Sequence, residues 1–204
     1  MKADRISAIA DARHVLESRA APPENICTAI VSIGKPYDAE VITANAGLVS
    51  MYLDHSDHVV RYNAIWFLGS WGHLPAYASH IYKAAQADQD VQNRAYSARS
   101  LGSILRQQKD ASLTKHLLNL VQSEHEVMEV RLSAYSGLLY AWSRADAFAF
   151  LIGEKAISDV DRTFISQLQA WIQQQGEMPQ VTRPRGIARS LFHAWRTGFL
   201  ASRQ

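Results

Sequence analysis

Apolar residues recur along this chain at intervals of three and four, the signature of helices with one buried face. Leu113, Leu117, Leu120 and Val121 share such a face, as do Ile42, Ala46, Val49 and Leu53. Val60, Ala64, Phe67, Leu68 and Trp71 form a third stripe. No stretch alternates at period two between turn signals, so strands are not expected. The pattern predicts helices over 3–19, 23–33, 38–53, 57–72, 76–87, 90–108, 111–122, 126–142, 145–154, 159–175 and 187–201. Pro23, Pro36 and Pro75 fall at boundaries between them, where a missing amide costs little.

The helices come in pairs, and the second member of each pair repeats. Asp57, Arg61, Leu68 and Gly69 return 33 residues later as Asp90, Arg94, Leu101 and Gly102. Arg131, Ala134 and Leu138 make a third copy, 37 residues after Arg94, Ser97 and Leu101. A weaker fourth begins near Asp159. Each position has a physical rationale. An aspartate before the helix accepts from its free first-turn amides. Ala64, Ser97 and Ala134 leave room for a neighbouring helix, and Gly69 and Gly102 are expected to loosen or end the turn. The order aspartate, Val-Arg or a relative, small residue, Leu-Gly resembles the HEAT repeat family over roughly residues 39–142. That resemblance implies an all-α superhelix, a short solenoid in which each pair buries its neighbour's apolar face. Asn93 replaces the valine before the second arginine and departs from the pattern.

This assigns residues 1–175 to the repeat domain and 176–186 to a linker, since "GEMPQVTRPRG" holds two prolines and two glycines. Residues 187–204 form a C-terminal basic amphipathic helix. Arg185, Arg189, Arg196 and Arg203 gather on one side of it, opposite Ile187, Leu191 and Trp195. From Met178 onward there are five arginines and no acid, so of the net +2 charge the preceding residues contribute −3. The molecule as a whole is therefore no general polyanion binder. The single cysteine, Cys27, cannot form an intrachain disulfide and reads as a small core residue. No run reaches the ~18 apolar residues of a membrane span, and the N-terminus lacks a signal-like hydrophobic stretch, so a cytoplasmic location is expected.

The repeated Arg61, Arg94 and Arg131 read first as an inter-repeat ladder with Asp57, Asp90 and Glu126, and second as a basic row that Arg99, Arg106 and Lys109 would widen. His55 and His58 lie three apart beside Asp54 and Asp57, but no second cluster completes four metal ligands. The deoxyhypusine hydroxylases, a HEAT-like enzyme class, hold iron with several His-Glu dipeptides; only His125-Glu126 occurs here. HEAT-like alkylpurine DNA glycosylases are similar in size and combine aromatic, acidic and basic residues on a hollow face. No tryptophan–aspartate pair of this chain aligns with their motif, so no catalytic residue is carried over.

The sequence thus predicts a non-catalytic, cofactor-free scaffold that binds another macromolecule. A protein partner comes first, an adaptor, assembly or toxin-neutralising role being the examples, and an acidic partner groove would suit the arginine helix. Nucleic-acid binding is the second reading. No small-molecule substrate is expected, because stacked helical pairs offer a broad face more readily than a deep pocket. The residues expected at the interface are Tyr62, Trp66, Arg99, Arg106 and Tyr135, as exposed members of the second helices, together with Arg185, Arg189 and Arg196. Trp71 is assigned to packing.

Overall fold

A computed structural model describes residues 2–35, 37–144 and 156–174 of the chain. The expected helix over 145–154, the linker, and the C-terminal helix with Arg185, Arg189 and Arg196 lie outside the described residues. Among those described, every regular element is helical. The α-helices are α1 (Lys2–Ser18), α2 (Pro23–Gly34), α3 (Ala39–Ser50), α4 (His58–Ile65), α5 (Ala78–Ala87), α6 (Val91–Gln108), α7 (Ala111–Gln122), α8 (Met128–Ala141) and α9 (Arg162–Gln174). A π-helical segment, Trp66–Trp71, continues α4, and 3₁₀ turns at Pro75–Tyr77 and Ile157–Asp159 introduce later elements.

The starts of these helices follow from their caps. Asp38 accepts from the amides of Glu40 and Val41, Asp57 from Val59 and Val60, and Asp90 from Asn93. Asp110 and Asp161 do the same for α7 and α9. Each satisfies donors that the helix cannot, at the positive end of its dipole.

Packing is that of stacked pairs. The helices pair as α1–α2, α5–α6 and α7–α8, with α3 packing on the π segment that continues α4, and the second members then pack on one another in the order α2, α4, α6, α8. The result is an all-α superhelical stack. Its core runs from Leu16 through Ile33, Val60, Phe67, Leu101 and Leu138 to Leu168. Helix α8 is enclosed on nearly every side, with Val130, Ser133 to Leu139 and Ala141 all buried.

Gly102 overturns the expectation that it loosens or ends its turn, whereas Gly69 does lie in a loosened one, the π segment. Gly102 lies inside α6, and a Cβ there would strike the Gly137 backbone of α8. Gly69 lies inside the π segment, where a Cβ would come within 2.5 Å of Ser100 Cβ. Neither ends a helix; Gly102 lets α6 meet α8 at backbone distance, and Gly69 makes room for the Ser100 side chain of α6. The Ser70 and Ser100 hydroxyls meet at 2.9 Å across the same seam. The π turn itself is marked by the Gly72 amide donating to Phe67, five residues back, at 2.9 Å. It turns Trp71 onto Gly34 of α2, where any side chain would enter the indole ring.

The arginine ladder also differs from expectation in its partners. Asp57 is committed to its own helix, and Arg61 instead reaches across to Asp88 through two bonds of 2.7 and 2.8 Å. Its remaining nitrogen donates to the carbonyls of His55 and Ser56. Arg94 donates to the Asp88 carbonyl and to Glu126, the latter at 3.1 Å, as a ladder requires. Arg131 donates to the Val121 carbonyl at 3.0 Å, within its own pair. Asn93, the departure from the repeat, is buried and donates to the His58 carbonyl at 3.0 Å, tying two second helices together.

Candidate interaction face

Once the ladder is in place, a different set of cations and rings remains on the second helices. Tyr62 and Trp66 are one turn apart on α4 and its π continuation, so their rings meet, with centroids 5.5 Å apart. Tyr96 of α6 packs against both, at 4.6 Å from Tyr62 and 5.6 Å from Trp66. Trp71 joins Trp66 at 6.3 Å, and Tyr37 meets Trp71 at 5.8 Å. These rings are half-buried or exposed, and they cross two successive repeats without a break.

Along α6, Tyr96, Arg99, Ser103 and Arg106 follow at helical spacing and form one stripe. The Arg99 guanidinium lies 5.5 Å from the Tyr96 ring. Its Nε is buried and makes no hydrogen bond among the described residues. Burial pulls the affinity of Arg99 for its proton down, against the opposing influence of Tyr96, Tyr62 and Glu129. Glu129 itself is bonded to Gln92. Further along the stripe, Arg106 is exposed and sits over Tyr140 of α8, 4.6 Å from its centroid. Lys109, in the left-handed conformation that closes α6, places Nζ 4.9 Å from the Trp142 ring.

Of the expected interface residues, the fold brings Tyr62, Trp66, Arg99 and Arg106 onto this one surface. Tyr135 is a correction. It is fully buried, its hydroxyl accepting the Asp161 amide at 3.0 Å and its ring standing edge-on to Phe164. Because α8 is covered on both flanks, its fourth position after Arg131 faces the core and anchors the start of α9. Trp71 is partly buried and packs on the core as expected. Tyr96 and Tyr140 belong to the surface without having been expected there, whereas Trp142 is buried beneath Lys109. The register of Tyr96 with the two arginines, i, i+3 and i+10, is a signal that could have found it; the other two face α6 through tertiary packing alone.

Other candidates are accounted for locally. The His55 Nδ1 accepts the Asp57 amide, and no group of three or more His, Cys, Asp or Glu among the described residues is placed to hold a metal. Cys27 is half-buried against the core, and burial pushes its thiol up, away from the reactive thiolate. Two open depressions, of about 360 and 420 Å³, lie at Tyr82 and His116 and at Arg131 and Arg162, and neither includes a residue of the aromatic face. No helix among the described residues is long and apolar enough to cross a membrane.

The class these observations define is an all-α superhelical protein with an aromatic and cationic face on its second helices. No protein-family model matches the chain, and no curated protein matches its sequence.

Proposed function

We propose that this chain is a non-catalytic binding scaffold of HEAT-like repeats that recognises another protein through the face built by Tyr62, Trp66, Tyr96, Arg99 and Arg106. One observation carries the reading: the cations on this face lie against rings, while Arg61 and Arg94 of the ladder are held by carboxylates. Those two are neutralised by Asp88 and Glu126, at side-chain exposures of 16% or less. Arg99 and Arg106 have no ion pair among the described residues and present their charge beside tyrosines. Tyrosine, tryptophan and arginine are the side chains that dominate protein interfaces, since they bury large areas at small entropic cost and add directed bonds. A partner offering carboxylates between apolar side chains complements such a surface.

The test compares the full chain with Trp66→Ala and Arg99→Ala variants as baits in native lysate. The expected result is one stoichiometric protein retained by the wild type and reduced about tenfold by either variant, as for truncation of an interface anchor. Retention of the same proteins by all three baits refutes the reading. Far-ultraviolet dichroism checks that the variants remain helical.

A second reading, single-stranded nucleic acid, is favoured by the same row of rings, since bases stack on aromatic faces and arginines follow the phosphates. It requires affinity that falls steeply with salt. Fluorescence anisotropy with a labelled oligonucleotide at low and high salt separates the two.

A further inference from the structure

The arginine ladder ends without a carboxylate among the described residues. Arg61 is matched by Asp88, 27 residues on, and Arg94 by Glu126, 32 residues on. Each of these acids stands just before the next second helix, α6 or α8. The same interval from Arg131 reaches Asp159 and Asp161, just before α9. Both are engaged elsewhere. Asp159 accepts the Ala156 amide at 2.8 Å. Asp161 accepts the Thr163 and Phe164 amides with one oxygen and Arg144 with the other, at 3.2 Å. Arg131, half-buried, keeps a single bond, from Nε to the Val121 carbonyl. Its terminal nitrogens have neither a hydrogen bond nor an ion pair among the described residues.

Arg131 instead lines the depression of about 420 Å³ between the end of α7 and α9. Arg162, exposed and without an ion pair among the described residues, lines the same space. Val121, Ile157, Val160 and Ile165 supply an aliphatic wall, and Gln122 and Gln169 supply amide donors. We infer that this depression binds a carboxylate carried on a short aliphatic stem, completing the ladder at Arg131. The other two rungs take a carboxylate, and the planar guanidinium fork matches its two oxygens. The bond to Val121 sets the plane of the fork before a ligand arrives, which lowers the ordering cost of binding. Glu124 is the one acid in the lining, so two arginines and one glutamate leave a net +1. A single carboxylate balances that charge, whereas a phosphate dianion exceeds it. The stem then covers the aliphatic wall. Such a group can belong to a small free acid or to a glutamate side chain of another protein.

The experiment uses the full chain at fixed ionic strength and four probes: hexanoate, hexanamide, a capped glutamate tripeptide and inorganic phosphate. Nuclear magnetic resonance follows the side-chain Nε–H signals of Arg131 and Arg162. A carboxylate probe is expected to shift both to saturation and hexanamide to shift neither. Saturation by hexanoate alone assigns a free acid, by the peptide alone a protein side chain, and by both a site that takes either; each supports the carboxylate. Arg131→Gln should weaken the affinity by about tenfold, the scale of a charge-assisted bond lost. Arg162→Gln, which leaves the Val121 bond intact, should weaken it by about two- to fivefold, as for an exposed pair. Hexanamide binding as tightly as hexanoate, or phosphate binding more tightly than either carboxylate, overturns the ligand class. Carboxylate binding that neither variant weakens overturns the site, as does no binding by any probe.

Discussion

Arg61 shows how one residue's meaning depends on what the fold brings to it. Along the sequence its nearest acid is Asp57, one helical turn away, but that carboxylate is consumed by the Val59 and Val60 amides. The guanidinium therefore reaches the next repeat and grips Asp88, with side-chain exposures of 13% and 3%. Burial alone would push the Asp88 carboxyl up. The bond from Arg61, the Asp90 amide and Asn93 more than offset that, and its proton affinity falls below the ordinary value of 3.8. Removing one partner of such a pair strands a charge away from water, so Asp88→Ala should cost about 3–5 kcal/mol in urea unfolding. The pH dependence has a definite sign. The folded carboxyl holds its proton less tightly than the unfolded one, so this stabilisation is present above 3.8 and disappears as pH falls through the lower folded value. Asp88→Asn should lack this acid-limb loss, which unfolding curves recorded at a series of acid pH values would reveal.

At the scale of the element, the helices themselves were legible because two local signals agreed: the 3.6-residue apolar stripe and an aspartate cap before α3, α4, α6 and α7. What was not legible is how closely the helices meet. Gly102 looks like a stop signal in sequence because glycine is a poor helix former. Its role depends on Gly137, 35 residues away, which no local pattern connects to it. The π turn has the same origin, since it is fixed by Trp71 over Gly34 and Ser70 against Ser100. The contrast between two helical glycines tests this. Gly102→Ala forces a methyl into the Gly137 backbone and should destabilise by about 1–3 kcal/mol or more. A methyl on Gly47 in α3 would meet nothing within 4 Å, so Gly47→Ala should stabilise by about 0.5–1 kcal/mol through lower chain entropy. Thermal or urea melts of the two variants should therefore move in opposite directions; a shift of the same sign in both would break the close-approach account.

For the whole molecule, a stack in which each pair leans on its neighbours should not open uniformly. Helix α8 is buried almost all round and meets α6 along a seam of small residues, Ala98, Gly102 and Gly137. Helix α1 is at the other extreme: its buried apolar residues are Ala12 and Leu16, and Ile6 is 63% exposed. It packs chiefly on α2, with a small contact to α3, so opening it breaks far less than opening α6, which packs on α4, α5, α7 and α8. The sequence revealed the repeat but not this gradient, because the depth of each seam is set by which small residues oppose one another across it. Native-state hydrogen exchange of the free protein should therefore show the slowest amides in α6 and α8 and the fastest helical amides in α1. The aromatic face straddles α4 and α6, next to the most protected seam, so its rings are held on a rigid base before any partner arrives and little ordering cost remains to be met on binding. Protection of α1 equal to that of α6 would mean the stack opens as one unit, and the preorganisation argued for the face would then have no special source in the α6–α8 seam.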